Sequence, residues 1–566
     1  MKKKKYIYFI AVSVFIIMLN IFLMFNQKEV LENIDVVIEK NEMVFIVDGE
    51  VQTTVPAKGS GDYDITANCT NGTASWDHDN WGIVINTIDE GNIKCDIEFN
   101  EKGTLRIASD IAATGVFLNG PLIKNTIESI EFMTKKTVPI DALGSWDVSE
   151  NQDKSIMAWY FDSNSNGKYE VYIGGNGEVL ANSNSSYLFQ NLQYLSSISL
   201  SNLNTSNVTD MSFMFYYTGF YGEFTLDIGN QFDTSEVINM SYMFYRTGYS
   251  SGFALDLGDK FNTSKVTNMR GMFVSTGHNS RVFTLDLGDK FDTSKVTDMS
   301  YMFYATGSYS NNFTLNLGDK FDTSKVTDMS YMFHGTGFSN IGYGNSMFTL
   351  DLSDKFDTSN VTNMKYMFAY TGYSSLVFTL DLGDKFDTSK VTNMDSMFAY
   401  TGYNNTVFTL DLGEKFNTSN VTDMDSMFNS TGYSSTVFTL NLGDKFDTLR
   451  VYFMSYMFYS TGYSNPIFTL NLGNKFNTVN VSSMIEMFVD TGSSNLNFIL
   501  DLRAFDFDFV KQHDEFNQPD YSGSSGLFNG SKTTHTAYVK NAIDKTWVSD
   551  KGFNGSIIDC SATTCP

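Results

Sequence analysis

Carboxylates recur at one position of a segment that repeats through the middle of the chain. The segment is Phe-Thr-Leu-Asp-Leu or a close variant, and its copies follow at steps of 29 or 30 residues with one step of 35. Stacked copies would bring these carboxylates to ~4.8 Å from one another, where they repel unless something compensates. The carboxylates are Asp227, Asp256, Asp286, Asp351, Asp381, Asp411 and Asp501, and Asn316, Asn441 and Asn471 hold the same position in other copies.

Two interpretations of this Asp column stay open. It is a candidate ligand face, because repeated Asp and Thr side chains suit a basic or cationic ligand, or weak calcium binding. The alternative is a soluble, ion-paired face that keeps the array from aggregating. That alternative rests on the next polar columns, where acidic residues such as Asp289 stand directly beside lysines such as Lys290.

Other chemistry-bearing patterns are weaker. Asp162 to Gly167 resembles the first half of a calcium loop, but position twelve, which needs a bidentate Glu, is Ile173. The Asn166-Gly167 pair therefore predicts a hairpin turn. The five His residues lack metal-ligand spacing, and we expect them to be ordinary surface residues. The repeats contain no Gly-x-Ser-x-Gly, His-Glu-x-x-His or phosphate-loop motif, so we expect no enzyme, no catalytic residue, no metal and no cofactor.

The elements that carry the Asp column have two different periods. Phe283 to Leu287 alternates apolar and polar residues, which predicts a half-buried strand. Val296 to Phe303 places apolar residues on one face of a short helical turn. No single copy can bury these side chains alone, so neighbouring copies must stack. The predicted core positions are Phe283, Leu285, Leu287, Phe291, Val296, Met299, Met302 and Phe303, with equivalents in the other copies.

The repeat also fixes the domain plan. The Met-Phe pair recurs from Met214 to Met487, which predicts a mainly β chain with short helical turns, organised as a leucine-rich-repeat-like solenoid of about eleven coils. The predicted segments are a signal-anchor at 1–27, a small β-rich domain at 28–125, lead-in hairpins and an N-terminal cap at 126–186, the solenoid at 187–503 and a C-terminal cap at 504–566.

The stretch from Leu352 to Met364, Leu-Ser-Asp-Lys-Phe-Asp-Thr-Ser-Asn-Val-Thr-Asn-Met, resembles the BspA-type leucine-rich repeat of bacterial surface proteins. The resemblance covers about Ser186 to Leu502. The later copies depart from it by carrying Thr-Gly and a few extra residues where that family often has Cys. The resemblance implies a solenoid associated with cell-surface adhesion and host contact.

The first residues predict export. Lys2 to Lys5 are basic, and the twenty residues from Tyr6 to Phe25 carry no charge, enough for a helix to span ~30 Å of hydrocarbon. Because basic residues stay inside, we expect a single-pass anchor in the cell membrane with the bulk of the chain extracellular. A cleaved signal peptide is the alternative.

Charge and cysteine content agree with an exported protein. The net charge of -26 excludes nucleic acid as a partner, because phosphates would be repelled. Four cysteines fall in two pairs outside the repeats, Cys69 with Cys95 and Cys560 with Cys565, and each pair is a candidate disulfide.

Breaks in the repeat point to candidate binding loops, with neutral drift of the sequence as the alternative explanation. The longest step inserts residues around Phe338, Ile341 and Tyr343, and a second break replaces Thr and Asn/Asp by Tyr452 and Phe453. We expect an adhesion or recognition protein whose partner is a host or neighbouring-cell surface protein or glycan. The alternatives are a carbohydrate-active enzyme on a solenoid and a purely structural surface-layer component.

Overall fold

The computed structural model describes side chains for residues 106–107, 117–250, 252–258, 260–339, 347–352, 356–508 and 526–565, and the backbone of seven strands between residues 34 and 102. The chain divides into two compact units, which are described separately. One comprises residues 1–106 with 134–136 and 175–178, and the other comprises the remainder.

The first unit is built from antiparallel strands. They form one sheet in the order β1-β2-β7-β4 and another in the order β3-β6-β5. β2 ends at Asp48 and β5 begins at Gly72, where the sequence has an Asp-Gly pair (48–49) and an Asn-Gly pair (71–72), both of which favour turns. The strands are β1 (Ile34–Glu39), β2 (Glu42–Asp48), β3 (Thr53–Pro56), β4 (Asp62–Thr70), β5 (Gly72–Asp77), β6 (Gly82–Thr87) and β7 (Asn92–Lys102).

Short parallel strands dominate the second unit. Its described α-helix is Ala542–Asp550, and the 3-10 helix Lys124–Thr126 precedes the first strand. The strands are β8 (Ile127–Met133), β9 (Gly144–Asp147), β10 (Ile156–Phe161), β11 (Tyr169–Gly175), β12 (Val179–Leu180), β13 (Ser197–Ser199), β14 (Leu203–Asn204), β15 (Thr225–Asp227), β16 (Val282–Asp286), β17 (Asn312–Asn316), β18 (Met347–Asp351), β19 (Val377–Asp381), β20 (Val407–Asp411), β21 (Val437–Asn441), β22 (Ile499–Asp501), β23 (Thr536–Val539) and β24 (Ser556–Asp559).

Identical residues lie side by side in the repeat strands. In the β16–β17 pair, Phe283 faces Phe313 and Leu285 faces Leu315, and β18 to β21 continue the same parallel pattern. This register puts every Phe and Leu inward and every Thr outward, as the alternation requires. All eight predicted core positions of that copy are at most 3% exposed, which confirms the inward assignment.

The prediction of a short helical turn from Val296 to Phe303 is wrong, because the backbone there does not make α-helical hydrogen bonds. From Met302 onward, successive N–H groups alternate between a turn within the coil and a carbonyl of the next coil: Met302 N donates to Met299 O at 3.1 Å, and Phe303 N donates to Met332 O at 2.9 Å. The alternation forces every fourth residue into the left-handed region, with Tyr301 at φ 61° and Ala305 at φ 52°. Inter-coil hydrogen bonds, which one isolated copy cannot make, stabilise this conformation.

A buried threonine ties each coil to its predecessor. In the Thr-Gly pair of the repeat, Thr401 is fully buried and its hydroxyl donates to Phe368 O at 2.7 Å. The glycine that follows is needed because a Cβ at Gly402, where φ is 61°, would overlap the ring of Phe408. Thr-Gly is therefore a structural part of the return turn.

The stack continues beyond the repeats recognised in the sequence. Before them, β8 pairs in parallel with β13. After them, Phe528 stacks on Phe488 at 5.8 Å, and β22, β23 and β24 form a parallel sheet. Leu527-Phe528 therefore takes the place of a Met-Phe pair in a further degenerate coil. No helix in the described part of the chain is long and apolar enough to cross a membrane, and the predicted anchor lies outside those residues.

Candidate functional site: a face of stacked tyrosines

The Asp column lies on the exposed strand face, where its carboxylates hold turns. The Asp286 Oδ1 atom accepts a hydrogen bond from Gly288 N at 3.0 Å, and Gly288 has a φ of 67°. The same side-chain acceptor bond occurs at Asp227, Asp256, Asn316, Asp381, Asp411, Asn441, Asn471 and Asp501. The Asp-x-Gly spacing was a signal for this turn.

Amides relieve repulsion within the column. Asn316 Nδ2 donates to Asp286 Oδ1 at 3.2 Å, and Asn441 Nδ2 donates to Asp411 Oδ1 at 3.1 Å. At the last coil Arg503 pairs with Asp501 at 2.6 Å, and these hydrogen bonds lower the pKa of the Asp501 carboxyl. Among the described residues no group of three His, Cys, Asp or Glu side chains is placed to hold a metal ion.

Tyrosines form a second face along the turn segments. Five positions of each coil define the tyrosine face, counted from the Met of the Met-Phe pair. They lie two residues and one residue before that Met, and two, three and six residues after it. At the last of these positions Phe338, Tyr373, Tyr403, Tyr433 and Tyr463 stack in series, with ring centroids 4.5 to 4.8 Å apart and planes within 12° of parallel.

The stacking occupies ring faces and leaves ring edges and hydroxyl groups outward. Tyr301, Tyr331 and Tyr366 repeat the arrangement at the position before the Met, at 4.6 and 4.8 Å. Burial, reinforced by the neighbouring Tyr403, raises the pKa of Tyr373 to about 12. Tyr373 therefore presents a neutral hydroxyl group, which both donates and accepts hydrogen bonds.

Two arginines lie among the tyrosines of the early coils. Arg246 lies 5.2 Å from the ring centroid of Tyr217 and 5.6 Å from that of Tyr245, and it donates to the Tyr217 hydroxyl at 2.5 Å. Arg270 lies 5.0 Å from the ring centroid of Tyr301. Both cations are held by contacts to rings, which fixes their position on the face.

Carboxylates take similar positions in the late coils. Burial raises the pKa of Asp425 to about 6, and repulsion from Asp423 and Asp395 adds to the rise, although the Ser455 amide hydrogen bond opposes it. Asp395 pairs with Lys365 at 2.6 Å. Burial also raises the pKa of Asp490. The late coils thus carry partly desolvated acidic groups.

Two histidines belong to the same stacks, and the expectation that they are ordinary surface residues is wrong. His278 lies parallel to Tyr249 with centroids 4.0 Å apart, and His334 lies parallel to Tyr304 at 4.6 Å. Burial lowers the pKa of each imidazole to about 4, so both are neutral at pH 7. Each occupies a position that holds Tyr in other coils.

The first sequence break joins this face. Phe338 stacks on Tyr373 at 4.5 Å, so it belongs to the tyrosine face. Ile341 and Tyr343 lie outside the described residues. The second break exposes apolar side chains where other coils carry polar ones, with Tyr452 at 48% and Phe453 at 46%.

One cysteine pair falls in each of the two compact units. Cys560 and Cys565 are joined by a disulfide bond directly after β24. The register of β4 and β7 places Cys69 opposite Cys95, whose side chains lie outside the described part of the structure, so that disulfide stays a prediction.

Sequence reasoning missed the tyrosine face as a functional candidate. The signal was present, because aromatic residues recur at fixed offsets from the Met-Phe pair. Their shared orientation depends on the left-handed turn residues, which the periodicity of the copies did not predict.

Comparison with protein families gives overlapping matches along the repeats. A family model described as "Mycoplasma protein of unknown function, DUF285" matches residues 183–314, 278–401, 308–433, 338–462, 373–500 and 432–534, which together span more than half of the chain. The matches indicate a repeat protein without singling out the BspA-type repeat. No curated protein and no solved structure matches the chain significantly.

Proposed function

This chain belongs to the DUF285 family, and from that premise we propose that it is a non-enzymatic adhesion or recognition protein at the cell surface. Its partner is a host or neighbouring-cell surface protein or glycan. The observation that carries the proposal is the tyrosine face, a surface of aligned ring edges and hydroxyl groups extending over successive coils.

The chemistry of that face suits protein recognition. Tyr, Ser and Asn dominate antibody binding loops, because Tyr offers a large rigid contact area and the small polar residues adapt their hydrogen bonds. The same residue types fill this face, as in Tyr433, Ser430 and Asn429 of one coil. Stacking removes side-chain freedom before binding, so less entropy is lost when a partner docks.

The mode of stacking favours a protein partner over a glycan. A sugar ring normally packs against the flat face of an aromatic ring, and here the faces are occupied by the next ring at 4.5 to 4.8 Å. Edges and hydroxyl groups remain for hydrogen bonding. A glycan held through hydroxyl contacts alone stays a second outcome of the test below.

The Asp column is the second candidate surface. It is exposed and repetitive, and single valines such as Val407, 47% exposed, stand at the start of β16, β19, β20 and β21. In Asp381 and Asp411 the turn hydrogen bond goes to Oδ1, and a carboxylate has a second oxygen that can accept from a cationic ligand. The resemblance to BspA-type repeats and the predicted membrane anchor at Tyr6 to Phe25 support surface display for either face.

Binding of the full chain, kept in detergent, to arrays of matrix proteins and glycans tests the proposal. The variant Tyr373→Ser/Tyr403→Ser/Tyr433→Ser removes three stacked rings, and Ser308 shows that this position accepts Ser. Loss of three central aromatic contacts should weaken binding by about 100-fold. The matched control Asp381→Asn/Asp411→Asn keeps the turns, as Asn441 does, and should bind like the wild type.

Other outcomes are equally informative. Weaker binding by the Asn control alone would assign the ligand to the Asp column. Unchanged binding by both variants would contradict a repetitive face and point to the insertion around Tyr343 or to residues 28–125. Release of product from any glycan would establish the carbohydrate-active alternative.

A further inference from the structure

Charge is segregated along the tyrosine face. We number the coils from the one containing Leu188-Phe189, so that Met487-Phe488 lies in coil 11. At the five defining positions, all charged residues of the early coils are cations and all charged residues of the late coils are carboxylates. The cations are Arg246 in coil 3, Arg270 in coil 4 and Lys365 in coil 7, and the carboxylates are Asp395 in coil 8, Asp425 in coil 9 and Glu486 and Asp490 in coil 11.

These charges belong to the same surface as the rings. Burial raises the pKa of Tyr456, and the nearby Glu486 and Asp425 raise it further, so both carboxylates act on that tyrosine. Two flanking groups moderate the pattern without lying on the face. Asp298 is 3.7 Å from Arg270, and Lys532 lowers the pKa of Asp490, which burial raises.

We propose that the tyrosine face binds the tyrosine face of a second copy of this chain, docked antiparallel. The proposal rests on the proposed function and makes the adhesion homotypic. Antiparallel docking brings coil 3 of one copy to coil 11 of the other, so Arg246 meets Glu486 and Asp490. The two-fold axis then passes near coil 7, beside the Lys365–Asp395 pair.

Symmetry and electrostatics select this orientation. A two-fold axis presents the same patch twice, so each end of the interface contains the same cation–carboxylate meeting. Parallel docking would oppose Arg246 to itself and Asp490 to itself, and like charges in contact disfavour binding. The charge pairs therefore fix register and direction, while ring edges and hydroxyl groups supply contact area.

The surface is large enough for a stable pair. Coils 3 to 11 are eight steps of ~4.8 Å, a length of ~38 Å. Over that length, a contact strip ~20 Å wide would bury ~800 Å² per copy, the area of a standard specific interface. The net charge of -26 opposes association at long range. At physiological salt that repulsion is screened beyond ~8 Å, whereas pairs in contact keep their attraction.

The repeat itself supplies variants that should fold. Arg246→Asp and Arg270→Asp introduce the residues found at the equivalent positions 490 and 395. Asp490→Arg and Asp425→Arg introduce those found at 246 and 270. The double variant Arg246→Asp/Arg270→Asp leaves Lys365 as the one cation at the five defining positions. The double variant Asp490→Arg/Asp425→Arg leaves Asp395 and Glu486 as the remaining carboxylates there. The quadruple variant reverses the charge at all four substituted positions and leaves Lys365, Asp395 and Glu486 unchanged.

The test measures the mass of the full chain in detergent by sedimentation against concentration, and the aggregation of beads coated with it. The wild type should form dimers and aggregate beads. Each double variant should self-associate at least roughly tenfold more weakly, because like charges then meet at both ends. Mixing the two double variants should restore pairing, and the quadruple variant should pair with itself.

Several outcomes would overturn the inference. They are a wild type that stays monomeric, double variants that dimerise as well as the wild type, a mixture that fails to pair, and open-ended assembly in place of a closed dimer. A monomeric wild type that still binds a matrix protein through Tyr373 would refute homotypic pairing and leave the proposed function standing. A chain that neither pairs nor binds the arrays would refute both.

Discussion

The strand face and the tyrosine face are carried by the same coils but differ in how strictly they repeat. Along the strand face, Thr and Asp or Asn recur in nearly every coil, because each Asx side chain holds a turn such as that of Asp286 with Gly288. Along the tyrosine face, Tyr alternates with His, Ser, Arg, Lys and Asp, and the charge changes sign between Lys365 and Asp395.

The difference separates residues that build the solenoid from residues that can distinguish a partner. A side chain that every turn requires cannot vary from coil to coil without loss of stability. The tyrosine face varies because its geometry comes from backbone bonds between coils, such as Phe303 N to Met332 O, which do not depend on side-chain identity. Variation is thus concentrated where the fold tolerates it, on the face that we propose binds a partner.

The largest effect should come from substituting an inward-pointing residue of a repeat strand, on the side opposite the Asp column. Leu287→Asp buries a charge at a site only 3% exposed and should cost at least about 4 kcal/mol, unfolding the neighbouring coils. Thr284→Asp, on the exposed side of the same strand, should cost less than about 1 kcal/mol. Hydrogen exchange of the two variants measures the difference, and equal protection of both would contradict the inward assignment.

The sequence was sufficient for the elements that each copy determines for itself. Alternation in Phe283 to Leu287 predicted the strand, its register and its buried residues, because period-two patterning is local. The left-handed residue Tyr301 could not be predicted, because its conformation depends on a hydrogen bond to the next coil. The continuation of the stack to Phe528 was hidden by the loss of the Met-Phe pair.

The same reason explains what was missed in the candidate site. The Asp column was visible because strands alternate, whereas the tyrosine face depends on a turn geometry that stacks the rings at positions 301 and 304 on those of the next coil. Those two rings lie 5.9 Å apart. Side chains three residues apart would share a face on a helix too, but the predicted helix gave no reason for the rings of successive coils to stack.

A smaller effect should distinguish buried from exposed threonines. Thr401→Val removes a hydroxyl that donates to Phe368 O at 2.7 Å inside the solenoid, and leaves that carbonyl without this donor. We expect a loss of about 1–3 kcal/mol in the free energy of unfolding. Thr409→Val on the strand face should change it by less than about 0.5 kcal/mol. Denaturant midpoints measure both, and a larger loss for the exposed residue would reverse the assignment of structural roles.

The smallest effect concerns the acidic end of the tyrosine face and its dependence on pH. The folded pKa of Asp425 is raised to about 6, above the ~3.9 of an unfolded Asp, so the folded state prefers the protonated carboxyl. The carboxylate therefore lowers stability above pH 6, and this penalty disappears as the pH falls from 6 towards 4. Asp423 and Asp395 repel the carboxylate, whereas the Ser455 amide stabilises it. Asp425→Ser, the residue at the equivalent position 455, should raise stability at pH 7 by about 1 kcal/mol, after allowance for partial solvent exposure, and should leave it unchanged near pH 4. The exposed Asp381→Asn should show no such pH-dependent gain, and denaturant titrations at the two pH values would refute the prediction if the Asp425→Ser gain were the same at both.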